Sequence, residues 1–329
     1  MSWQEIFGNA ARLEHLKKIL AEGKFPHAVI FSGAAGIGKR KIAETCAKVL
    51  LCENPSGGEA CGVCESCKLI RAGSHPDFKI VEPEETKSAP NIKIGQIREM
   101  QAETALQPNL SNRRVVIIDG AELMNTPAAN CLLKTLEEPT GQTTFILVTA
   151  NRAGLLMTVR SRCITVNFDK LSAEQIKNAL ENRGVGSGRA ETISLIADGS
   201  FGRALQLESS GGYEIRESAL NFLERLCTNK IDTEEIFQQG AQYSDGSRES
   251  FGDFVTYIQK ILRDIYLLDA EKLYNPDLKS RLNKIKIPET NLLAMFDEGT
   301  KIQRRLKSNA NLRLMAESYF FRLRLALNN

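Results

Sequence analysis

No apolar run in this 329-residue chain approaches the roughly 20 residues that a bilayer-spanning helix needs, so an ordinary transmembrane helix is excluded. The N-terminal stretch MSWQEIFGNAARLEHL lacks the basic-then-apolar plan of a secretory signal peptide. A cytoplasmic protein is the expectation, with its eight cysteines reduced or metal-bound rather than paired in disulfides. Net charge is scarce as well. The 43 Lys and Arg residues against 40 Asp and Glu leave +3, too little to imply a nucleic-acid partner by itself. There is no internal repeat with a period of about 20–50 residues and no low-complexity tract, which removes solenoids and biased tails. What is present is ordinary soluble composition, 42% hydrophobic and 25% charged, over a length that suits two or three domains.

The first half alternates strand-like and helix-like runs. HAVIFSG (27–33), DFKIVEP (77–83), RRVVIIDG (113–120), TTFILVTA (143–150) and CITVNFD (163–169) read as strands. LEHLKKILAEG (13–23), KRKIAETCAKVLLC (39–52), IGQIREMQAETAL, PAANCLLKTLEE and AGLLMTVRSR read as helices between them. This order predicts a parallel sheet covered by helices. After residue 169 the strands stop. SAEQIKNALENRG, RAETISLIADG and FGRALQLESSGG read as three short helices, each closed by glycine. The remainder is helical, with weak loops near YSDGSRES and LYNPDLKSRLNKIKIPET. The expected domains are 1–169 (α/β), 170–213 (a three-helix lid) and 214–329 (all-α).

SGAAGIGKRK (32–41) satisfies the phosphate-loop pattern G-x-x-x-x-G-K from Gly33 to Lys39, between a strand and a helix. Gly33, Gly36, Gly38 and Lys39 are the candidate nucleotide-binding residues. In a working loop the backbone N–H groups cradle phosphates, the lysine contacts the outer ones, and the next residue's hydroxyl coordinates Mg²⁺. That next residue is Arg40, whose guanidinium has no acceptor and repels a cation. It is still able to approach a phosphate, so ATP or ADP binding stays open while metal-assisted hydrolysis is disfavoured. VVIIDGAEL (115–123) ends its strand at Asp119, which is either a Walker-B magnesium carboxylate or a strand-end turn residue.

Cys52, Cys61, Cys64 and Cys67 fall as C-x₈-C-x₂-C-x₂-C. Four thiolates at this spacing suit a closed tetrahedral Zn²⁺ site that staples an insertion at 52–67. An iron–sulfur cluster and unmetallated thiols are the alternatives. His75 is a loop residue before Pro76 or a decoy ligand, and Cys46, Cys131 and Cys227 suit core packing.

These motifs, with VVIIDGAELMNTPAANCLLKTLEEPT, LMTVRSRC, GSFGRAL and NANLRLMAESYFFRL, resemble bacterial DNA polymerase III clamp-loader subunits, the delta-prime branch most closely. The resemblance covers nearly the full length. It implies an AAA+ α/β domain with a phosphate loop and parallel sheet, a small helical lid and an all-α collar that oligomerises. It also implies a pentameric ring with gamma/tau and delta subunits, which loads the sliding clamp onto primed DNA. Motor members carry a glutamate after the Walker-B aspartate; here that position is Gly120, and Glu122 falls in the ensuing helical turn. The departures at Arg40 and Gly120 favour the stator over a motor. By the same resemblance Arg162 of Ser161-Arg162-Cys163 is an arginine finger supplied in trans to the neighbour's ATP. Arg203 of GSFGRAL matches the sensor-2 arginine, and Thr149 or Asn151 occupies the sensor-1 region. A catalytically active gamma/tau-like motor is the competing reading, and a zinc-dependent nucleic-acid adaptor the third.

The segment 301–329 holds seven Lys and Arg against the single acid Glu317. Its interleaved leucines and phenylalanines favour helix packing over nucleic-acid contact. Any DNA contact is expected from the ring's inner face, with the helix N-terminus near Pro127–Asn130 offering backbone N–H groups.

Overall fold

Five runs of four to seven residues form one parallel sheet, whose three inner strands are buried on both faces while the two edge strands are partly exposed. They are β1 (Ala28–Ser32), β2 (Phe78–Val81), β3 (Arg114–Asp119), β4 (Thr143–Thr149) and β5 (Ile164–Asn167), in the order β2-β3-β4-β1-β5. In the computed structural model the described residues are 3–84, 90–138, 141–209, 211–228, 231–243, 248–268, 273–306 and 311–328.

The helices that follow one another along the chain are α1 (Ala10–Ala21), α2 (Lys39–Leu51), α3 (Glu65–Ala72), α4 (Ile94–Thr104), α5 (Thr126–Glu137), α6 (Met157–Arg160), α7 (Ala173–Glu181) and α8 (Ser187–Ile196). They continue with α9 (Phe201–Ser209), α10 (Gly212–Cys227), α11 (Thr233–Ala241), α12 (Arg248–Tyr266), α13 (Lys279–Leu282), α14 (Glu289–Arg305) and α15 (Leu312–Asn328). The chain divides into two compact units, Met1–Ala179 with Gly199–Gly202, and Leu180–Asp198 with Arg203–Asn329.

The period-2 alternation of side chains sorts the sheet core into two clusters. Val29, Phe31, Val115, Ile117, Ile146 and Val148 pack with Leu16 of α1 and Ile42 and Cys46 of α2. Their neighbours Ala28, Ile30, Val116, Ile118, Phe145 and Leu147 pack on the other face with Ile97 and Met100 of α4 and Leu132 and Leu136 of α5. Parallel pairing brings the C-terminal ends of β1, β3 and β4 to the same edge of the sheet, which is where the phosphate loop emerges.

In the helical unit α10 packs on α12, α12 on α14, and α15 on both α14 and α11. Phe222, Tyr243, Phe251, Phe254, Tyr319 and Phe320 form one aromatic cluster at its centre. Several basic side chains of 301–329 are bonded inside this unit: Lys301 and Arg322 to Glu298, and Arg313 to Glu317. The segment therefore packs as helices, as its apolar residues predict. The stretch read as a loop near LYNPDLKSRL instead turns into α13. Fully buried Asp264 accepts hydrogen bonds from the backbone N–H groups of Tyr274 and Asn275, and buried Arg216 donates to the Asn275 side chain. Within YSDGSRES, residues 244–247 lie outside the described residues. Among the described residues no helix is long and apolar enough to cross a membrane.

Candidate functional site

The phosphate loop leaves β1 at Ser32 and enters α2 at Lys39, with Gly38 as the N-cap in a left-handed conformation. Lys39 is 5% exposed, and its ammonium donates to the carbonyl oxygens of Gly33 at 2.7 Å and Ala34 at 2.6 Å. Burial lowers its pKa, against the pull of Glu122 and Asp119. The loop's own carbonyls thus take the hydrogen bonds that phosphates would otherwise receive. Gly36 sits against the Gly199–Gly202 turn, where the Gly202 N–H donates to the Gly36 carbonyl at 2.7 Å. A Cβ on Gly36 would lie 2.3 Å from Ser200 Oγ, so close approach requires glycine there.

Arg40 reaches across to the end of β3. Its Nε donates to Glu44 at 2.9 Å, one turn along α2, and its NH1 donates to Asp119 Oδ2 at 3.3 Å and also to Glu82. The carboxylate expected to hold Mg²⁺ is therefore paired with a guanidinium. Gly120 follows in the left-handed region at φ 67°, a backbone that a glutamate would adopt only under strain. Glu122 points elsewhere: its Oε1 accepts from the Ala150 N–H at 2.8 Å, and its Oε2 is buried without a hydrogen-bond partner. Two cations, Lys39 and Arg40, share this corner with four carboxylates, Glu44, Glu82, Asp119 and Glu122. Such a seat is net negative, the wrong sign for a polyphosphate.

Of the two sensor-1 candidates, Thr149 adjoins the loop through its backbone. Its carbonyl accepts from the Gly33 N–H at 3.3 Å, and its Oγ1 accepts from the Asn151 N–H at 3.1 Å. Asn151 itself is exposed. Arg203 belongs to the helical unit, where it hydrogen-bonds Tyr257 of α12. The N-terminus of α5 is capped by the Asn125 side chain, which accepts from the Ala128 N–H at 2.9 Å, so one of its free donors is already used.

Arg162 lies just past α6. Its Nε donates to Glu137 Oε1 at 2.7 Å, NH2 bonds the same carboxylate, and NH1 donates to the Thr158 carbonyl at 2.8 Å. Glu137 is the last residue of α5, and the Arg162 side chain is 31% exposed. The guanidinium is held from two sides while still facing solvent.

The four cysteines converge as their spacing predicts. One sulfur from each of Cys52, Cys61, Cys64 and Cys67 lies within 4.8 Å of all the others. Cys52 and Cys64 sulfurs are 3.9 Å apart, close to the edge of roughly 3.8 Å for a tetrahedron with metal–sulfur bonds of about 2.3 Å. The backbone N–H groups of Cys61, Cys64 and Cys67 point at the sulfurs of Cys52, Cys61 and Cys64 respectively. Such donors favour thiolates. Cys61 is held down to about 6, first by the N–H groups of Val63 and Cys64. This donor set fits a tetrahedral metal ion. His75 stays outside it: the ring is buried, accepts from the Asp77 N–H and faces Ser111.

Sequence reasoning missed Glu82, Glu137 and Asp77. Glu44 was findable from its i, i+4 spacing to Arg40. The others meet their partners only through the fold. Asp77 is 1% exposed, and its carboxylate accepts from the N–H groups of Asn109, Leu110 and Ser111 at 2.7–2.8 Å, fixing the loop before β3.

The sequence profile of the family described as "DNA polymerase III, delta subunit" matches residues 8–172. The chain is 32% identical over 292 residues to DNA polymerase III subunit delta-prime of Pseudomonas aeruginosa, covering 87% of each. It is 28% identical over 328 residues to DNA polymerase III subunit delta-prime of Bacillus subtilis, covering 96% of this chain and 97% of that one. Among solved structures, a DNA polymerase III gamma-subunit-related protein of Thermotoga maritima aligns with a TM-score of 0.49 at 19% identity, covering 95% of this chain and 99% of that one. The chain belongs to the DNA polymerase III delta-prime family.

Proposed function

We propose that this member of the DNA polymerase III delta-prime family is a non-hydrolysing stator of the bacterial clamp loader, helping to load the sliding clamp onto primed DNA. The observation that carries this reading is the pairing of Arg40 with Asp119. A motor needs Mg²⁺ on that carboxylate and a second carboxylate to orient the attacking water. Here a guanidinium tied also to Glu44 and Glu82 takes the first place, and Gly120 leaves the second empty. A nucleotide entering the loop meets no free metal carboxylate.

Arg162 is then the finger lent to the ATP site of the adjacent gamma/tau subunit. Its guanidinium is fixed by Glu137 and the Thr158 carbonyl, so little rotamer freedom is left to lose when it meets a γ-phosphate. Fingers of this kind contribute roughly 10³–10⁵ in rate. The cysteine set is proposed to hold structural Zn²⁺, since four protein thiolates leave no open coordination position for catalysis. The helical segment from residue 214 is proposed as the collar of a cytoplasmic pentamer with gamma/tau and delta, and 170–213 as its lid. DNA contact belongs to the assembled ring.

The test is Mg²⁺-dependent ATP hydrolysis by the chain alone and mixed with a motor subunit from the same organism, with Arg162→Lys in parallel. Lysine keeps the charge but lacks the planar fork. Silence alone, activity in the mixture and its loss with Arg162→Lys support the stator. Steady turnover by the chain alone, abolished by Lys39→Ala, would make it a motor.

A further inference from the structure

The helical unit has a solvent-open cavity of about 250 Å³ lined by Arg203 and Gln206 of α9 and by Asp253, Thr256, Tyr257 and Lys260 of α12. Lys260 is the unusual member. Its ammonium lies 5.9 Å from the centre of the Tyr257 ring and 5.3 Å from that of Tyr274, and it has no hydrogen bond or ion pair among the described residues. Burial, with repulsion from Arg203, pushes the amine down to about 8 despite Asp198, Asp253 and Asp264. Asp264 offers little relief because its oxygens are taken by Tyr274 and Asn275. A half-buried cation on aromatic faces, beside a second cation and without an anion of its own, is incomplete.

We propose that this cavity, whose lining includes no residue of the phosphate loop, binds a phosphate group held by Lys260 and Arg203. The lining itself carries two cations against the one carboxylate of Asp253, a local excess that suits an oxyanion even though Asp198 and Asp264 act on Lys260 from outside it. A guanidinium and an ammonium together suit a compact dianion, the first by its fork and the second as a point charge. The volume holds about eight waters. That is room for one or two phosphoryl groups, and it falls below the roughly 300–1,000 Å³ of sites that take drug-sized ligands. The phosphate is either free or carried on a nucleic-acid end. The site does not depend on the stator reading, and failure of either leaves the other standing.

The experiment titrates the full chain at constant ionic strength with phosphate, pyrophosphate and a 5′-phosphorylated single-stranded oligonucleotide, following heat and melting temperature. Wild type, Lys260→Met, Lys260→Arg and Lys39→Ala are compared. Saturable pyrophosphate binding that falls at least about tenfold in Lys260→Met, recovers in Lys260→Arg and persists in Lys39→Ala supports the site. Competition by the oligonucleotide then assigns the phosphate to a strand end, and its absence assigns it to a free anion. Binding lost in Lys39→Ala and kept in Lys260→Met would move the seat to the phosphate loop. Absence of binding in wild type, or equal binding in all variants, also overturns the proposal. Should Lys260→Met fail to fold, acylation of Lys260 in wild type, read by mass spectrometry, takes its place. Pyrophosphate should slow that acylation, and an unchanged rate overturns the proposal.

Discussion

Replacing Arg40 by threonine should convert a metal-blind phosphate loop into a magnesium-dependent one. Mg²⁺ on Asp119 would sit about 2.1 Å from a carboxylate oxygen. Arg40 NH1 is 3.3 Å from Asp119 Oδ2, so metal and guanidinium would lie no more than about 5.4 Å apart. A divalent and a monovalent cation at that distance repel by about 6 kcal/mol at an effective dielectric of 20, and by about 1.5 kcal/mol in bulk water. The Arg40 side chain is 43% exposed, which places the effect near the lower end. A repulsion of about 2 kcal/mol corresponds to about 30-fold in affinity. Threonine also restores the missing hydroxyl ligand. The assay is titration of a fluorescent ADP analogue in Mg²⁺ and in chelator. Arg40→Thr should bind at least about 30-fold more tightly with Mg²⁺ than without, whereas the wild type shows no such ratio. Hydrolysis should still be absent in Arg40→Thr, because Gly120 supplies no carboxylate. A wild type that itself gains tens-fold from Mg²⁺, or an Arg40→Thr variant that gains nothing, refutes the reasoning.

Cys64→Ser should lower bound metal from about one ion per chain to a readily chelated fraction, measured by elemental analysis before and after chelator challenge, since one ligand of a four-thiolate site is lost. If the insertion contributes about 2 kcal/mol, the melting temperature falls by about 4–8 °C; unchanged metal content would mean that the cysteines are not its ligands. Asp77→Asn should cost about 1–3 kcal/mol at neutral pH, because three backbone donors and Arg114 lose a charged acceptor. Burial alone would raise the Asp77 pKa, but the N–H groups of Ser111, Asn109 and Leu110 with Arg114 hold it below the ordinary value. Its stabilisation is therefore present above the unfolded value of about 4 and fades as pH falls through the folded one. Denaturant titrations of wild type and variant should differ most above the unfolded value of about 4 and converge as pH falls below it, and a difference independent of pH would count against this account.

How much of this was legible depended on the range of each interaction. The sheet was readable because β1, β3 and β4 each carry an unbroken run of four apolar residues, a pattern that needs both faces covered. The cysteine site was readable because its chelate steps are local, with three of four ligands inside seven residues. The turn at α13 was not, since Asn-Pro signals a loop, and it is organised by buried Asp264 of α12 and buried Arg216 of α10, both distant in sequence. Glu82 and Glu137 stayed invisible for the same reason. Each is an ordinary surface acid in the sequence, and the fold alone sets it against Arg40 or Arg162. The sequence identified the arginines by motif but could not say what holds them.

The loss of a hydroxyl explains why the loop should not hydrolyse ATP, yet not why it keeps its shape. A phosphate loop lacking only that hydroxyl would leave Glu44, Glu82, Asp119 and Glu122 crowded together with Lys39 as the single cation, and like charges at such spacing are destabilising. Arg40 bonds three of those carboxylates at once. Lys39 donates to the carbonyls of Gly33 and Ala34. Both cations of the seat thus have partners within the chain. On the proposed stator reading, the same substitution would take the metal carboxylate and offset the charge of the loop's corner, as a subunit that does not turn over requires.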